Sequence, residues 1–133
     1  MSSGGVLPVS VAVHDNLVYV ANAGNRRQQS TGFRLRDDGR LRLIAGSAVA
    51  LLGGSQPGDV PFNADGSKLA GTRIGTSLID SFTVGDDGRL AAAPGSAFPG
   101  QGLGPFGSEF RPTNPDQLFV SRSPATGSPL AAR

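Results

Sequence analysis

The chain has 133 residues, which is enough for one ordinary domain. Its 20 glycines and 10 prolines argue against a helical bundle, because an interior glycine costs about 1 kcal/mol relative to alanine and an interior proline about 3. The chain has no cysteine and one histidine, which excludes disulfides, thiolate metal sites, cysteine nucleophiles and multi-histidine metal sites. A net charge of +2 is too small to indicate a nucleic-acid partner, and no apolar run is long enough to span a membrane.

A repeat of 49 residues organises the chain. The segment Phe33–Leu41, FRLRDDGRL, matches Phe82–Leu90, FTVGDDGRL, and the same offset places Pro8 on Pro57. A third, partial copy begins at Pro105. Agreement over this length at one spacing indicates a repeat protein, in which each copy forms one structural unit.

Each copy has the pattern of four short strands. In the first copy, the predicted strands are Val9–Val13, Leu17–Ala21, Thr31–Leu35 and Arg40–Ile44. The Asp-Gly step between the last two predicts a hairpin, because glycine accepts the positive φ that the turn needs. Alternation in this hairpin puts apolar and basic side chains on opposite faces. The apolar face holds Phe33, Leu35, Leu41 and Leu43, and the basic face holds Arg34, Arg36, Arg40 and Arg42.

The second copy repeats the pattern, with predicted strands at Val60–Phe62, Lys68–Gly71, Ile79–Val84 and Arg89–Ala92. No segment has a sustained period of 3.6 residues, so we expect almost no helix. Four antiparallel strands in a repeat of this length are typical of a β-propeller blade, and closed propellers have four to eight blades. We therefore predict an all-β, incomplete propeller of about two and a half blades. Its parts are residues 8–52, 57–100 and a half blade 105–121, followed by a flexible or out-of-frame tail 122–133.

The motifs of the repeat resemble the lactonase-type seven-bladed propellers, the family of 6-phosphogluconolactonase and the carboxymuconate-lactonising enzymes, with YVTN-type repeats. The resemblance rests on three segments, which are Pro8–Asn22, Gly32–Leu41 with its Gly-Phe and Asp-Gly-Arg-Leu motifs, and Gln56–Leu69. Gly104-Pro105-Phe106-Gly107 adds a fourth. This resemblance implies a truncated piece of a longer protein that hydrolyses a sugar lactone or an acidic lactone without a metal or an organic cofactor.

The resemblance implies no complete catalytic set in this chain, so whether it is an enzyme stays open at this point. Family members often have a histidine after the Gly-Pro step, where this chain has Phe106. His14 is the single catalytic candidate, as a general base, and its alternative is a surface turn histidine. The alternative function is a non-catalytic propeller that binds a protein partner or serves as an extracellular scaffold. The first residues show no signal peptide, which predicts a cytoplasmic location for the sequence as it stands. Relatives with this Pro-Phe-Gly variant resemble exported propellers, so export of the longer parent protein stays open.

Three further patterns have structural alternatives that we favour. Gly102–Gly107 spells a dinucleotide-binding fingerprint, but Pro105 removes a donor and no helix is expected to follow, so we predict a loop between blades. The pairs Asp37-Asp38 and Asp86-Asp87 could bind Ca²⁺ but directly precede the turn glycines, which predicts turn chemistry. The arginine face could attract phosphate or nucleic acid, but an outer strand that faces solvent explains it better, so we predict a solvated outer edge. Exposed blade faces predict self-association, although two and a half blades do not multiply into a simple ring.

Overall fold

The computed structural model describes residues 1–24 and 27–122. These residues form twelve strands in three antiparallel sheets and contain no helix, so none that could cross a membrane occurs among them. The predicted all-β class is confirmed. The tail predicted at 122–133 lies outside the described residues except for Arg122, which is the last residue of a strand.

Sheet 1 and sheet 2 have five strands each and the same topology. Sheet 1 consists of β1 (Pro8–His14), β2 (Leu17–Asn22), β3 (Gln29–Leu35), β4 (Leu41–Leu43) and β5 (Val49–Ala50). Sheet 2 consists of β6 (Pro57–Asp59), β7 (Lys68–Arg73), β8 (Leu78–Val84), β9 (Leu90–Ala92) and β10 (Phe98–Pro99). The first four strands of each sheet pair in chain order, and the fifth pairs with the N-terminal end of the third.

Sheet 3 is a hairpin of β11 (Pro105–Phe110) and β12 (Leu118–Arg122). Its first strand contacts β6 and β7, while β1 also contacts β6. The first strands of the three sheets therefore lie side by side, with sheet 2 between the other two. This arrangement is consistent with consecutive blades of a propeller.

The predicted Asp-Gly turns are confirmed. Gly39 and Gly88 both have φ of +81°, the left-handed region that glycine adopts without steric cost. In each turn the preceding aspartate accepts a hydrogen bond from the backbone two residues later. The Oδ1 of Asp38 lies 3.0 Å from the nitrogen of Arg40, and the Oδ1 of Asp87 lies 2.9 Å from the nitrogen of Arg89.

Two details of the sequence prediction need correction. The strand expected at Val60–Phe62 forms earlier, at Pro57–Asp59, and only an isolated bridge from Phe62 to Leu69 continues it. Pro61 has no N–H to donate, so the ladder is interrupted there, although its carbonyl still accepts a bond from Ala70. The two-residue strands β5 and β10 were not predicted, because two residues show no measurable alternation.

The principal core lies between sheets 1 and 2. The buried residues of this cluster are Ala12, Leu17, Tyr19, Ala21, Val60, Leu69 and Phe82. The hydroxyl of Tyr19, a fully buried side chain, donates to the carbonyl of Gly88 at 2.7 Å across the junction. Burial, with a smaller contribution from the Asp87 carboxylate, raises the pKa of Tyr19 to about 12. The second cluster, Val18, Val20 and Phe33, lies on the opposite face of sheet 1.

Candidate functional site

A line of hydrogen bonds joins the first strands of the three sheets. The hydroxyl of Ser10 in β1 donates to Oδ1 of Asp59 in β6 at 2.6 Å, and itself accepts from the nitrogen of Val60 at 3.2 Å. The other carboxylate oxygen of Asp59 accepts from the nitrogen and the hydroxyl of Ser108 in β11, at 2.8 and 3.1 Å. The half-buried Asp59 carboxylate is thus the central acceptor along the edge formed by β1, β6 and β11, which we call the inner edge.

A groove of about 680 Å³ runs along this edge. Its walls come from the starts of β1, β6 and β11 and from the loops that follow β2 and β7. The lining residues are Leu7, Val9, Ala23, Gln56, Pro57, Gly58, Asp59, Ile74, Phe106 and Gly107. Asp59 is the one ionisable side chain among them. The groove therefore combines apolar walls with one carboxylate and one amide, a composition common in small-molecule sites.

Phe106 lies in this groove, at the position where the resembling family often has a histidine. Its side chain is 49 % exposed, and its carbonyl accepts a hydrogen bond from the hydroxyl of Thr72 at 2.6 Å. The phenyl ring can bind a ligand by apolar contact, but it cannot transfer a proton. Proton transfer in this groove would therefore depend on Asp59 or on water.

The catalytic candidate His14 lies at the other end of β1 from the groove. Its ring contacts the ring of Phe62, with centroids 6.1 Å apart, and its Nε2 lies 3.4 Å from Asp15. The Asp65-Gly66 turn of sheet 2 packs directly against it, since a Cβ on Gly66 would collide with the imidazole. The structure does not bring His14 together with Asp59.

Sheet 2 also contains a buried ion pair. The guanidinium of Arg73 binds the carboxylate of Asp80 through two bonds of 2.8 and 2.5 Å, and both side chains are largely buried. This two-bond geometry satisfies both charged groups. Neither residue lines the groove, so the pair fixes strands β7 and β8 rather than offering a free charge to a ligand.

The arginine face lies on the hairpin of β3 and β4, outside the groove. Arg34 donates to the side chain of Asn16 at 3.1 Å and to the carbonyl of Asp86 at 3.4 Å, so part of the arginine face contacts the neighbouring turn. Among the described residues, no group of three or more histidine, cysteine or acidic side chains is placed to hold a metal ion. The glycine-rich segment Gly102–Gly107 leads into strand β11 rather than a helix.

Sequence analysis missed Asp59, although the repeat contains a signal that could have found it. The 49-residue offset places Ser10 on Asp59, so one copy has a carboxylate where the other has a hydroxyl. A polar residue at matching positions of two inner strands indicates a shared surface. The same offset leads from Asp59 to Ser108 in β11, so the spacing of the repeat also points to the third residue of the line.

No family model matches the chain, and no curated protein matches it. Solved structures do. A protein from Lactobacillus plantarum matches with a TM-score of 0.69 at 13 % identity, over 86 % of this chain and 34 % of that one. A functionally unknown protein from Desulfotomaculum acetoxidans matches with a TM-score of 0.67 at 16 % identity, with the same two coverages.

A third solved structure, a "putative 6-phosphogluconolactonase" from Bacteroides uniformis, matches with a TM-score of 0.64 at 20 % identity, over 83 % of this chain and 34 % of that one. Identities this low show a shared fold alone. The chain spans about a third of the length of each of these three structures.

Proposed function

We propose that this chain supplies consecutive blades of a lactonase-like propeller, and that its inner-edge groove contributes to the binding and hydrolysis of a sugar lactone. The observation that supports this proposal is the Ser10–Asp59–Ser108 line, whose central carboxylate lines a groove of about 680 Å³. The distant fold likeness to the Bacteroides uniformis structure agrees with it. The complete site would include strands from further blades.

The groove favours a neutral sugar lactone over an acidic one. Asp59 is the one ionisable side chain in the described lining, and its carboxylate would repel a phosphate or carboxylate on the ligand. A carboxylate has about four acceptor positions, and three donors already occupy Asp59. The remaining position can accept from a sugar hydroxyl or from a water that attacks the lactone carbonyl, while Phe106 packs against the ring.

The test is the rate of acid release from δ-gluconolactone and from its 6-phosphate in the presence of the full 133-residue chain. We expect the neutral lactone to open faster than it does spontaneously and the phosphorylated one to be affected less. Asp59→Asn should abolish the acceleration. Asp65→Asn is the matched control, because Asp65 lies in an exposed turn outside the groove and accepts from the nitrogen and the hydroxyl of Ser67 in the same turn. No acceleration by the wild-type chain overturns hydrolysis by this chain.

A second candidate function, a non-catalytic binding module, is favoured by one observation. Phe106 occupies the groove without a proton to transfer, and His14 lies at the far end of β1. Amide signals of Val60 and Ser108 in an NMR titration with δ-gluconolactone or gluconate distinguish the two functions. Saturable shifts without acceleration support the binding module, and acceleration supports the lactonase.

A further inference from the structure

The two ends of the stack of sheets present unlike faces. In sheet 1, the face that points away from sheet 2 is formed by alternate residues of its strands, and we call it the head face. It consists of Val11, Val13, Val18, Val20, Phe33, Leu35, Leu41 and Leu43. Val11, Val13 and Leu43 are each 57 to 59 % exposed. Exposed apolar side chains this close together are typical of an interaction surface.

The head face repeats the surface with which sheet 2 packs on sheet 1. The equivalent positions in sheet 2 are Val60, Phe62, Leu69, Phe82, Val84 and Leu90, and all six belong to the core between the sheets. Val60 is 4 % exposed, whereas its equivalent Val11 is 59 % exposed. Val18, Val20 and Phe33 at the centre of the head face are 2 to 6 % exposed, so it is the outer part of the pattern that is covered in one copy and open in the other.

The occupant of the covered surface indicates what would fit the open one. The surface that covers sheet 2 is the face of sheet 1 with Leu17, Tyr19 and Ala21, and the Tyr19 ring lies at its centre. Cross-strand pairing places Phe119 of β12 at the corresponding position in sheet 3, opposite Glu109 of β11. The phenyl ring of Phe119 is 58 % exposed, on the side of sheet 3 that points away from sheet 2. We call the surface formed by Phe119 and its cross-strand partner Glu109 the tail face.

We propose that the head face of one molecule binds the tail face of a second copy of this chain. One chain has both the head face and an exposed aromatic ring at the Tyr19 position of sheet 3, and sheet 2 separates them, so they cannot meet within a single molecule. The contact is heterologous: each molecule retains one free head face or tail face after pairing, and further copies can add. The proposal is independent of lactone hydrolysis.

The test is the molar mass of the full chain by light scattering after gel filtration, over a range of concentrations. We expect the wild-type mass to rise above the 13.5 kDa of one chain. Val11→Lys should block the head face and Phe119→Lys the tail face, so that each variant alone stays at the mass of one chain. Leu52→Lys is the matched control, since Leu52 is 76 % exposed in the connection between β5 and β6 and belongs to neither face.

Mixing the two blocked variants is the decisive step. Val11→Lys keeps an intact tail face and Phe119→Lys an intact head face, so an equal mixture should form a complex of twice the chain mass and no larger. Restored binding also shows that both variants are folded. A single variant that still associates on its own overturns the head-to-tail contact in favour of a face that pairs with itself. Failure of the mixture to associate, when both variants keep the wild-type circular dichroism spectrum and a cooperative melt, overturns it as well. A wild-type chain that stays monomeric overturns it in favour of a further segment of a longer protein as the occupant.

Discussion

The two junctions between neighbouring sheets use different chemistry on the same backbone plan. Between sheets 1 and 2, the contact is apolar and is closed by the buried hydroxyl of Tyr19. In sheet 2, Ala70 occupies the Tyr19 position, because it pairs with Ser81 as Tyr19 pairs with Gly32. The contacts between sheets 2 and 3 include the bond from Thr72 to the Phe106 carbonyl and the ion pair of Lys68 with Asp116. The repeat therefore specifies the strands, while single substitutions decide how tightly neighbouring sheets are joined.

The two junctions should differ most in how much stability is lost when a leucine at the same repeat position is truncated to alanine. Leu69 is fully buried between sheets 1 and 2, and Leu118 is its partly exposed equivalent in sheet 3. Leu69→Ala should lower the free energy of unfolding by about 2 to 5 kcal/mol, because it leaves a cavity in a packed core. Leu118→Ala should cost about 1 kcal/mol, because it removes less buried surface.

Urea unfolding of both variants measures this comparison. Equal losses would mean that the second junction is packed as tightly as the first, contrary to the structure. A change in the slope of the transition would instead indicate that the sheets unfold separately.

The Tyr19 hydroxyl makes the first junction sensitive to alkaline pH. Its pKa is raised from the ordinary value of 10 to about 12 by burial. Between these values the unfolded chain loses its proton while the folded chain keeps it, so the stabilisation is complete below pH 10 and is lost as pH rises towards 12. The loss above pH 12 should be about 2 to 3 kcal/mol.

This effect can be measured directly, because Tyr19 is the only tyrosine and the chain has no tryptophan. Tyrosinate absorbance should titrate near pH 12 in the folded chain and near pH 10 in urea. Tyr19→Phe should remove the extra loss of stability in alkali. It should also cost about 1 kcal/mol at neutral pH, because the Gly88 carbonyl loses its donor. A folded-state midpoint near pH 10 would contradict the buried hydroxyl.

The turn glycine Gly66 tests the junction between sheets 1 and 2 at the end where His14 lies. Gly66 and Gly39 both have positive φ, +73° and +81°, but a Cβ on Gly66 would collide with His14 whereas a Cβ on Gly39 would meet nothing. Gly39→Ala should cost about 1 kcal/mol from backbone strain, and Gly66→Ala about 2 kcal/mol, since the imidazole must also move. Adding His14→Ala to Gly66→Ala should recover the difference, and thermal melts of the three variants measure it.

The turn glycines were also the parts of the fold most accessible from sequence. Asp-Gly between alternating apolar runs requires a local positive φ, so Gly39 and Gly88 could be placed without knowledge of any neighbour. The link from Asp59 to Ser10 and Ser108 could not, because it depends on how three sheets pack. Likewise, the shift of β6 follows from Pro61, whose missing N–H interrupts a ladder that hydrophobic spacing alone predicts to continue.

The smallest expected effect comes from the second junction. Thr72→Val removes the hydroxyl that donates to the Phe106 carbonyl at 2.6 Å and should cost about 1 kcal/mol. Thr83→Val is the matched control: its hydroxyl donates to the Ala91 carbonyl at 3.3 Å within sheet 2 and is exposed, so water replaces the bond and stability should change by less than about 0.5 kcal/mol. Because the Thr72 bond joins β7 to β11, Thr72→Val should also broaden the amide signals of β11, whereas Thr83→Val should leave them sharp. Unchanged β11 signals in Thr72→Val would mean that the line from Asp59 to Ser108 holds sheet 3 in place by itself.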